Sequence, residues 1–163
     1  KISSEFLNKN HIQGFVSAKI TYGLYFNDEL VMVMSFGKPR FNKDYDWEVI
    51  RIASKLGFTV VGGLSKLLSE FRKENSGSIM TYVDRKYGNG KGMESVGFSF
   101  VRYTEPGYFW TNGNKIISRY KAMKKELVKW LPTFDSTKTE VQNMQDAGYM
   151  QFWDCGQIVM ELK

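Results

Sequence analysis

Asp84 closes the apolar run Ile79-Met80-Thr81-Tyr82-Val83, with Arg85 directly after it and Asn89 in the next loop. A carboxylate at the carboxyl end of a buried strand stands where open α/β sheets place their ligands. There it can orient a substrate amine or take its proton, or it can accept from the N–H groups of the loop that follows. His11 is the only histidine and the only side chain whose ordinary pKa lies near neutrality. It is the second catalytic candidate; the alternative is a structural histidine. Arg51 interrupts the apolar run Trp47-Glu48-Val49-Ile50-Arg51-Ile52-Ala53. A charge there needs a partner, which Glu48, Asp84 or a bound phosphate can supply. Cys155 is the only cysteine, so a disulfide framework and a Cys/His zinc site are both excluded. No cluster of carboxylates of the kind a metal-dependent nuclease requires stands out, and no metal site is expected.

Gly62-Gly63 precedes Leu64, Leu67, Leu68 and Phe71, the i, i+3, i+4, i+7 stripe of an amphipathic helix. With glycine and no side-chain oxygen before it, the first helical N–H groups point outward and the helix dipole adds partial positive charge. That is a site for an anion such as a phosphate. The alternative is that the two glycines only turn the chain tightly and pack close to the sheet.

Lys115, Arg119, Lys121, Lys124, Lys125 and Lys129 are opposed in their stretch only by Glu126, and Tyr108, Phe109, Trp110, Tyr120 and Trp130 flank them. Cations hold phosphates and aromatic rings stack on unpaired bases; the alternative is a solvated basic face over an aromatic core. Arg85, Lys86 and Asn89, in a loop with three glycines and three cations, are candidates for the same contact. The net charge of +6 agrees with a polyanionic partner.

The elements that must position these groups read in order. Ser3 and Ser4 can cap a short helix through about Lys9. Lys19 to Phe26 and Glu29 to Phe36 form a hairpin around Asn27-Asp28. The strand at 47–53, the Leu64–Lys73 helix and the strand at 79–83 form a strand–helix–strand unit, with the two strands parallel. Met93 to Val96 is a short helix and Phe98 to Tyr103 a strand. Tyr108 to Trp110 pairs with Lys115 to Lys121 across Asn112-Gly113-Asn114. A helix covers Ala122 to Trp130, stopped by Pro132. Thr137-Lys138-Thr139-Glu140 has capping-box form and opens a helix to Ala147. Tyr149 to Trp153 and Gln157 to Leu162 read as a last hairpin.

Three stretches resemble the GNAT (N-acetyltransferase) fold: Gly23-Leu24-Tyr25-Phe26-Asn27-Asp28-Glu29-Leu30-Val31, Val61-Gly62-Gly63-Leu64-Ser65-Lys66-Leu67-Leu68 and Met93-Glu94-Ser95-Val96-Gly97-Phe98. They are similar to that family's central hairpin, pyrophosphate loop and closing motif. The resemblance implies acyl-CoA, such as acetyl-CoA, as cofactor. Its pyrophosphate would lie on Val61, Gly62, Gly63, Leu64, Ser65 and Lys66. The first helix would cross the end of the sheet and carry His11 towards Asp84. Thr59-Val60-Val61 stand where the family has a basic or amide residue.

A closer resemblance covers nearly the whole chain. Asn10-His11-Ile12-Gln13-Gly14, Val61 to Leu67, Tyr82 to Gly90 and Phe152-Trp153-Asp154-Cys155-Gly156-Gln157 are similar to the GNAT-like region of phage proteins related to Hef-type homing endonucleases. The stretch around Asp84 is more loosely similar to the Mom family of phage DNA-modification enzymes. These resemblances imply a DNA partner, no nuclease site in this region itself, and the inside of a bacterial host, hence a cytoplasmic location. The competing function is an acyl-CoA-dependent N-acyltransferase acting on a DNA base or an amine.

The fold class expected is α/β (α+β): a GNAT-like mixed central sheet flanked by helices, with a C-terminal helix plus β-hairpin extension. One domain spans residues 1–163, with its core at about 1–120 and the extension at about 121–163. Hydrophobic residues make up 42 % of the 163, enough for a core. No apolar run approaches ~18 residues, so nothing is expected to cross a membrane, and no signal peptide is visible. The chain opens at Lys1 without a methionine, as a fragment of something longer would.

Overall fold

The computed structural model describes all residues, Lys1–Lys163. By internal packing the chain divides into two units, Lys1–Tyr103 with Ile158–Lys163, and Thr104–Gln157.

The first unit begins with α1 (Ile2–Asn10), which neither serine caps: Ser4 Oγ donates back to the Lys1 carbonyl. β1 (Ile20–Phe26) and β2 (Glu29–Gly37) form the expected hairpin. Asn27 and Asp28 turn it at φ 48° and 62°, the left-handed region that Asn and Asp tolerate because their short side chains bond locally. β3 (Trp47–Ser54) lies antiparallel to β2, but the register jumps from Ser35↔Arg51 to Phe36↔Val49. Ile50 is the extra residue of a bulge. Glu48 and Arg51, three apart in sequence, therefore share one face.

β3 and β4 (Ile79–Asp84) are parallel, as expected, and α2 (Gly63–Glu74) connects them. Leu67, Leu68 and Phe71 are buried. Phe71 stacks on Phe36 at 3.8 Å and meets Trp47 edge-on at 5.2 Å. The opposite face of the sheet carries α1 through Leu7, packed with Val33 and Ala53. After α3 (Lys91–Glu94) comes β5 (Ser99–Tyr103). The chain then leaves this unit and returns as β9 (Gln157–Leu162), giving a mixed six-stranded sheet of order β1-β2-β3-β4-β9-β5.

The second unit contains β6 (Tyr108–Thr111), β7 (Ile116–Ser118), α4 (Arg119–Ala122), α5 (Lys124–Trp130), α6 (Glu140–Asp146) and β8 (Met150–Trp153). Its antiparallel sheet has the order β7-β6-β8. Trp110, Ala122, Leu127, Leu131 and Met144 form its core. The helix expected over Ala122 to Trp130 is split at Met123, whose backbone is extended.

Three boundaries differ from expectation. The closing hairpin does not form: β8 pairs with β6, and β9 pairs with β5 in the other sheet. Asp154 decides this, because its Oδ1 accepts the N–H groups of Gly107 and Gly156 at 2.7 and 2.8 Å and so ties the turn to the start of β6. Consecutive Ile158, Val159 and Met160 are buried, as a strand covered on both faces requires. Second, the hairpin at 108–118 belongs with the later helices, so the second unit is Thr104–Gln157 rather than an extension from about residue 121. Third, the capping box is Thr139 with Gln142, two residues later than read. Asp135 takes both the N–H and the hydroxyl of Thr137, leaving Thr139 to cap. No helix is long and apolar enough to cross a membrane.

Candidate functional site

In the second unit, alternation along β6 turns Tyr108 and Trp110 towards the helices and Phe109 and Thr111 away from them. On β8, Phe152 lies opposite Phe109 and Met150 opposite Thr111; on β7, Ser118 and Ile116 complete the same rows. The rings of Phe109 and Phe152 stack at 5.6 Å and 24°. Ile116 is 70 % exposed, Met150 68 % and Phe152 39 %. One face of this sheet therefore packs on three helices, and the other presents an aromatic pair beside a row in which exposed Ile116 and Met150 flank Thr111. Phe109 was among the flanking aromatics read from the sequence. Phe152 and Met150 were missed, because only the β6–β8 register brings them beside it.

The six cations divide. Lys129 pairs with Glu126 at 3.0 Å, and Lys124 Nζ donates to the Ser136 carbonyl at 3.2 Å. Within the unit, Lys115, Arg119, Lys121 and Lys125 make no ion pair. Arg119 lies 5.1 Å from the Tyr108 ring centre and Lys125 5.3 Å from that of Tyr120, cations held over aromatic faces.

No family model matches the chain, and no curated protein matches it. The residues themselves carry the argument.

In the first unit, Asp84 ends β4 half-buried, and its Oδ1 accepts the Lys86 N–H at 2.9 Å, as an Asx turn does. Asn89 accepts from the Lys91 N–H at 3.2 Å. Arg85 lies over Tyr103 at 4.6 Å and Lys86 over Tyr87 at 5.3 Å. His11 follows α1, and its Nδ1 accepts the Gln13 N–H at 3.1 Å, which leaves the proton of the neutral ring on Nε2. No hydrogen bond joins His11 to Asp84. The charge that His11 feels is Arg51.

Burial, and then Arg51, lower the His11 pKa below its ordinary 6.5. The unfolded chain therefore takes up this proton more readily than the folded one, and stability rises with pH across the window. The contribution is intact above pH 6.5 and is lost as the pH falls through the lowered value. No other histidine titrates there. Urea midpoints measured between about pH 7.5 and about pH 5 are expected to fall for the native chain and to change less for His11→Gln. An identical fall in both would show that His11 is not the group.

Of the residues read as a pyrophosphate loop, Gly62 is the left-handed N-cap of α2 at φ 69° and no side chain caps the helix. The Gly63 N–H turns back to the Val60 carbonyl at 3.2 Å. A Cβ on Gly63 would come within 2.6 Å of Met32 Sδ, so this glycine also serves close packing. Val61 is 89 % exposed.

Arg51 has neither of the ion-pair partners weighed for it. Its Nε donates to the Gly14 carbonyl at 3.1 Å and its Nη1 to the Ile50 carbonyl at 2.9 Å. Glu48 is buried and accepts the Arg40 N–H on Oε2 at 2.9 Å. No three His, Cys, Asp or Glu side chains come together as a metal site.

Proposed function

We propose that this chain is a nucleic-acid-directed, GNAT-like module of a phage protein, of the kind associated with homing endonucleases, and that it contacts DNA without cutting it. The observation that carries the reading is the helix-free face of the β7-β6-β8 sheet. Half-buried Phe109 and exposed Phe152, stacked on each other, offer π-faces of the kind on which unpaired bases stack. Lys115 and Arg119 bracket β7, and Lys121 and Lys125 follow, so positive charge for phosphates is carried by the same short segment. The element order of the first unit, with α2 between two parallel strands, supports the GNAT-like reading.

A second reading, an acyl-CoA-dependent N-acyltransferase, is favoured by one feature. The pairing of β3 with β4 ends at Val49↔Thr81, although β3 continues to Ser54 and β4 to Asp84. Parallel strands that part at their carboxyl ends open a crevice where α/β proteins bind ligands, and α2 starts at that end.

One titration separates the two readings. If the four cations without ion pairs each neutralise a phosphate, log affinity for duplex DNA falls against log salt with a slope of about −3 to −4. Replacing Lys115, Lys121 and Lys125 by alanine is expected to flatten that slope by about 3 and to weaken binding on all sequences alike. Binding undetectable at low salt would remove the first reading and leave the transferase.

A further inference from the structure

β5 is an end strand of the large sheet, and neither reading uses it. All five of its side chains are exposed, whereas the other end strand, β1, turns Ile20, Tyr22 and Leu24 onto the core. Its register against β9 jumps from Phe100↔Met160 to Arg102↔Val159, so Val101 is the extra residue of a bulge. Tyr103 pairs with Ile158, two residues from Met160. Phe100 and Tyr103, three apart in sequence, therefore share one face. Their ring centres lie 4.9 Å apart at 57°, with Phe100 50 % and Tyr103 57 % exposed.

The loop that follows β4 brings charge to these rings. The Arg85 guanidinium lies 4.6 Å from the Tyr103 ring centre. From Arg85 to Glu94 three cations, Arg85, Lys86 and Lys91, are opposed by that one acid. None of the three forms an ion pair within the first unit.

A bulge in an end strand deters a further strand from pairing along its outer edge, so the side chains of β5, rather than its backbone, are what it offers a partner. Exposed rings stack on any unpaired base, and a guanidinium held over one of them is placed for a neighbouring phosphate. We propose that Phe100, Tyr103 and Arg85 form a second stacking station for single-stranded nucleic acid, which a strand of sufficient length occupies together with Phe109 and Phe152. The proposal rests on the nucleic-acid reading of the second unit. Six residue steps separate Tyr103 from Phe109, so the chain keeps the two stations within about 21 Å, backbone to backbone, however the units are arranged. At a duplex-like rise of about 3.4 Å per nucleotide, about six nucleotides cover that span. Binding at one station makes binding at the other intramolecular.

The test compares labelled oligothymidylates of about 4 and about 20 nucleotides, one too short and one long enough for both stations. Fluorescence anisotropy with the full chain at a single low salt concentration gives both affinities. The longer strand is expected to bind the native chain about 100-fold more tightly than the shorter. Phe100→Ala combined with Tyr103→Ala should weaken the longer strand by about tenfold or more. It should also bring the length preference down to about tenfold or less, because only the Phe109–Phe152 station remains. Arg85→Ala, which removes no ring, should weaken the longer strand and flatten its salt slope by about 0.7. That variant keeps the proposal testable should the double variant fail to fold, which melting temperatures decide. A folded double variant that keeps the native length preference overturns the proposal. So does a loss on the longer strand with Phe152→Ala but not with the double variant, an outcome that leaves the reading of the second unit standing. Binding of neither strand at low salt overturns both.

Discussion

Phe109→Ala and Phe152→Ala are each expected to weaken single-stranded DNA binding by about 1–3 kcal/mol, on the order of 5- to 150-fold. The two rings form the aromatic centre of the helix-free face in the second unit. A base stacked there loses its platform when either ring is cut back. Duplex binding should change little, because paired bases cannot reach a ring and the cations still meet the phosphates. Neither ring belongs to the core built on Trp110, Leu127 and Met144, so both variants should fold. Fluorescence anisotropy with a labelled single strand and the matching duplex at one salt concentration decides the point. Equal losses on the two substrates would mean that the rings support the fold rather than the ligand. No loss on either would move the binding surface elsewhere.

Phe71→Ala is expected to cost about 3–5 kcal/mol of stability. The ring is fully buried on the inner face of α2 and is the centre of an aromatic cluster. It stacks on Phe36 and meets Trp47 and Tyr22 edge-on. Truncation removes its transfer free energy and leaves a cavity that rigid neighbours cannot fill. Against a typical total of about 5–15 kcal/mol, such a loss shifts a urea transition far towards lower denaturant. Tyr22 and Trp47 lie in the same cluster, so near-ultraviolet circular dichroism should also change. A loss below about 1 kcal/mol would mean that α2 is not docked on β2 and β3 through this ring.

Where the determinants were local, the chain could be read without its fold. Asn27-Asp28 between two alternating runs specified a hairpin because those residues tolerate the left-handed backbone that the turn needs. Leu64, Leu67, Leu68 and Phe71 specified α2 because a period of 3.6 places them on one side. The cationic stretch was equally plain as composition. Its division into paired and unpaired charges was not, since Glu126 and Ser136 choose Lys129 and Lys124 only once α5 is folded.

Long-range pairing was not legible. A strand shows the same alternation whichever neighbour it takes, so Met150 to Trp153 and Gln157 to Leu162 read as partners across a turn. Asp154, bonded to Gly107, sends them to different sheets. His11 and Asp84 were candidates on residue type alone. The fold set His11 beside Arg51 and gave Asp84 a backbone N–H of its own loop. The same limit hid the aromatic face, which requires Phe152 to be opposite Phe109, and the bulge at Ile50 that sets Glu48 and Arg51 on one face. By itself the sequence determined the local elements and the inventory of charges and rings, because those depend on neighbours a few residues apart. Only the tertiary structure decided which of them share a surface, because strand register and bulges are settled by contacts between residues far apart in the chain.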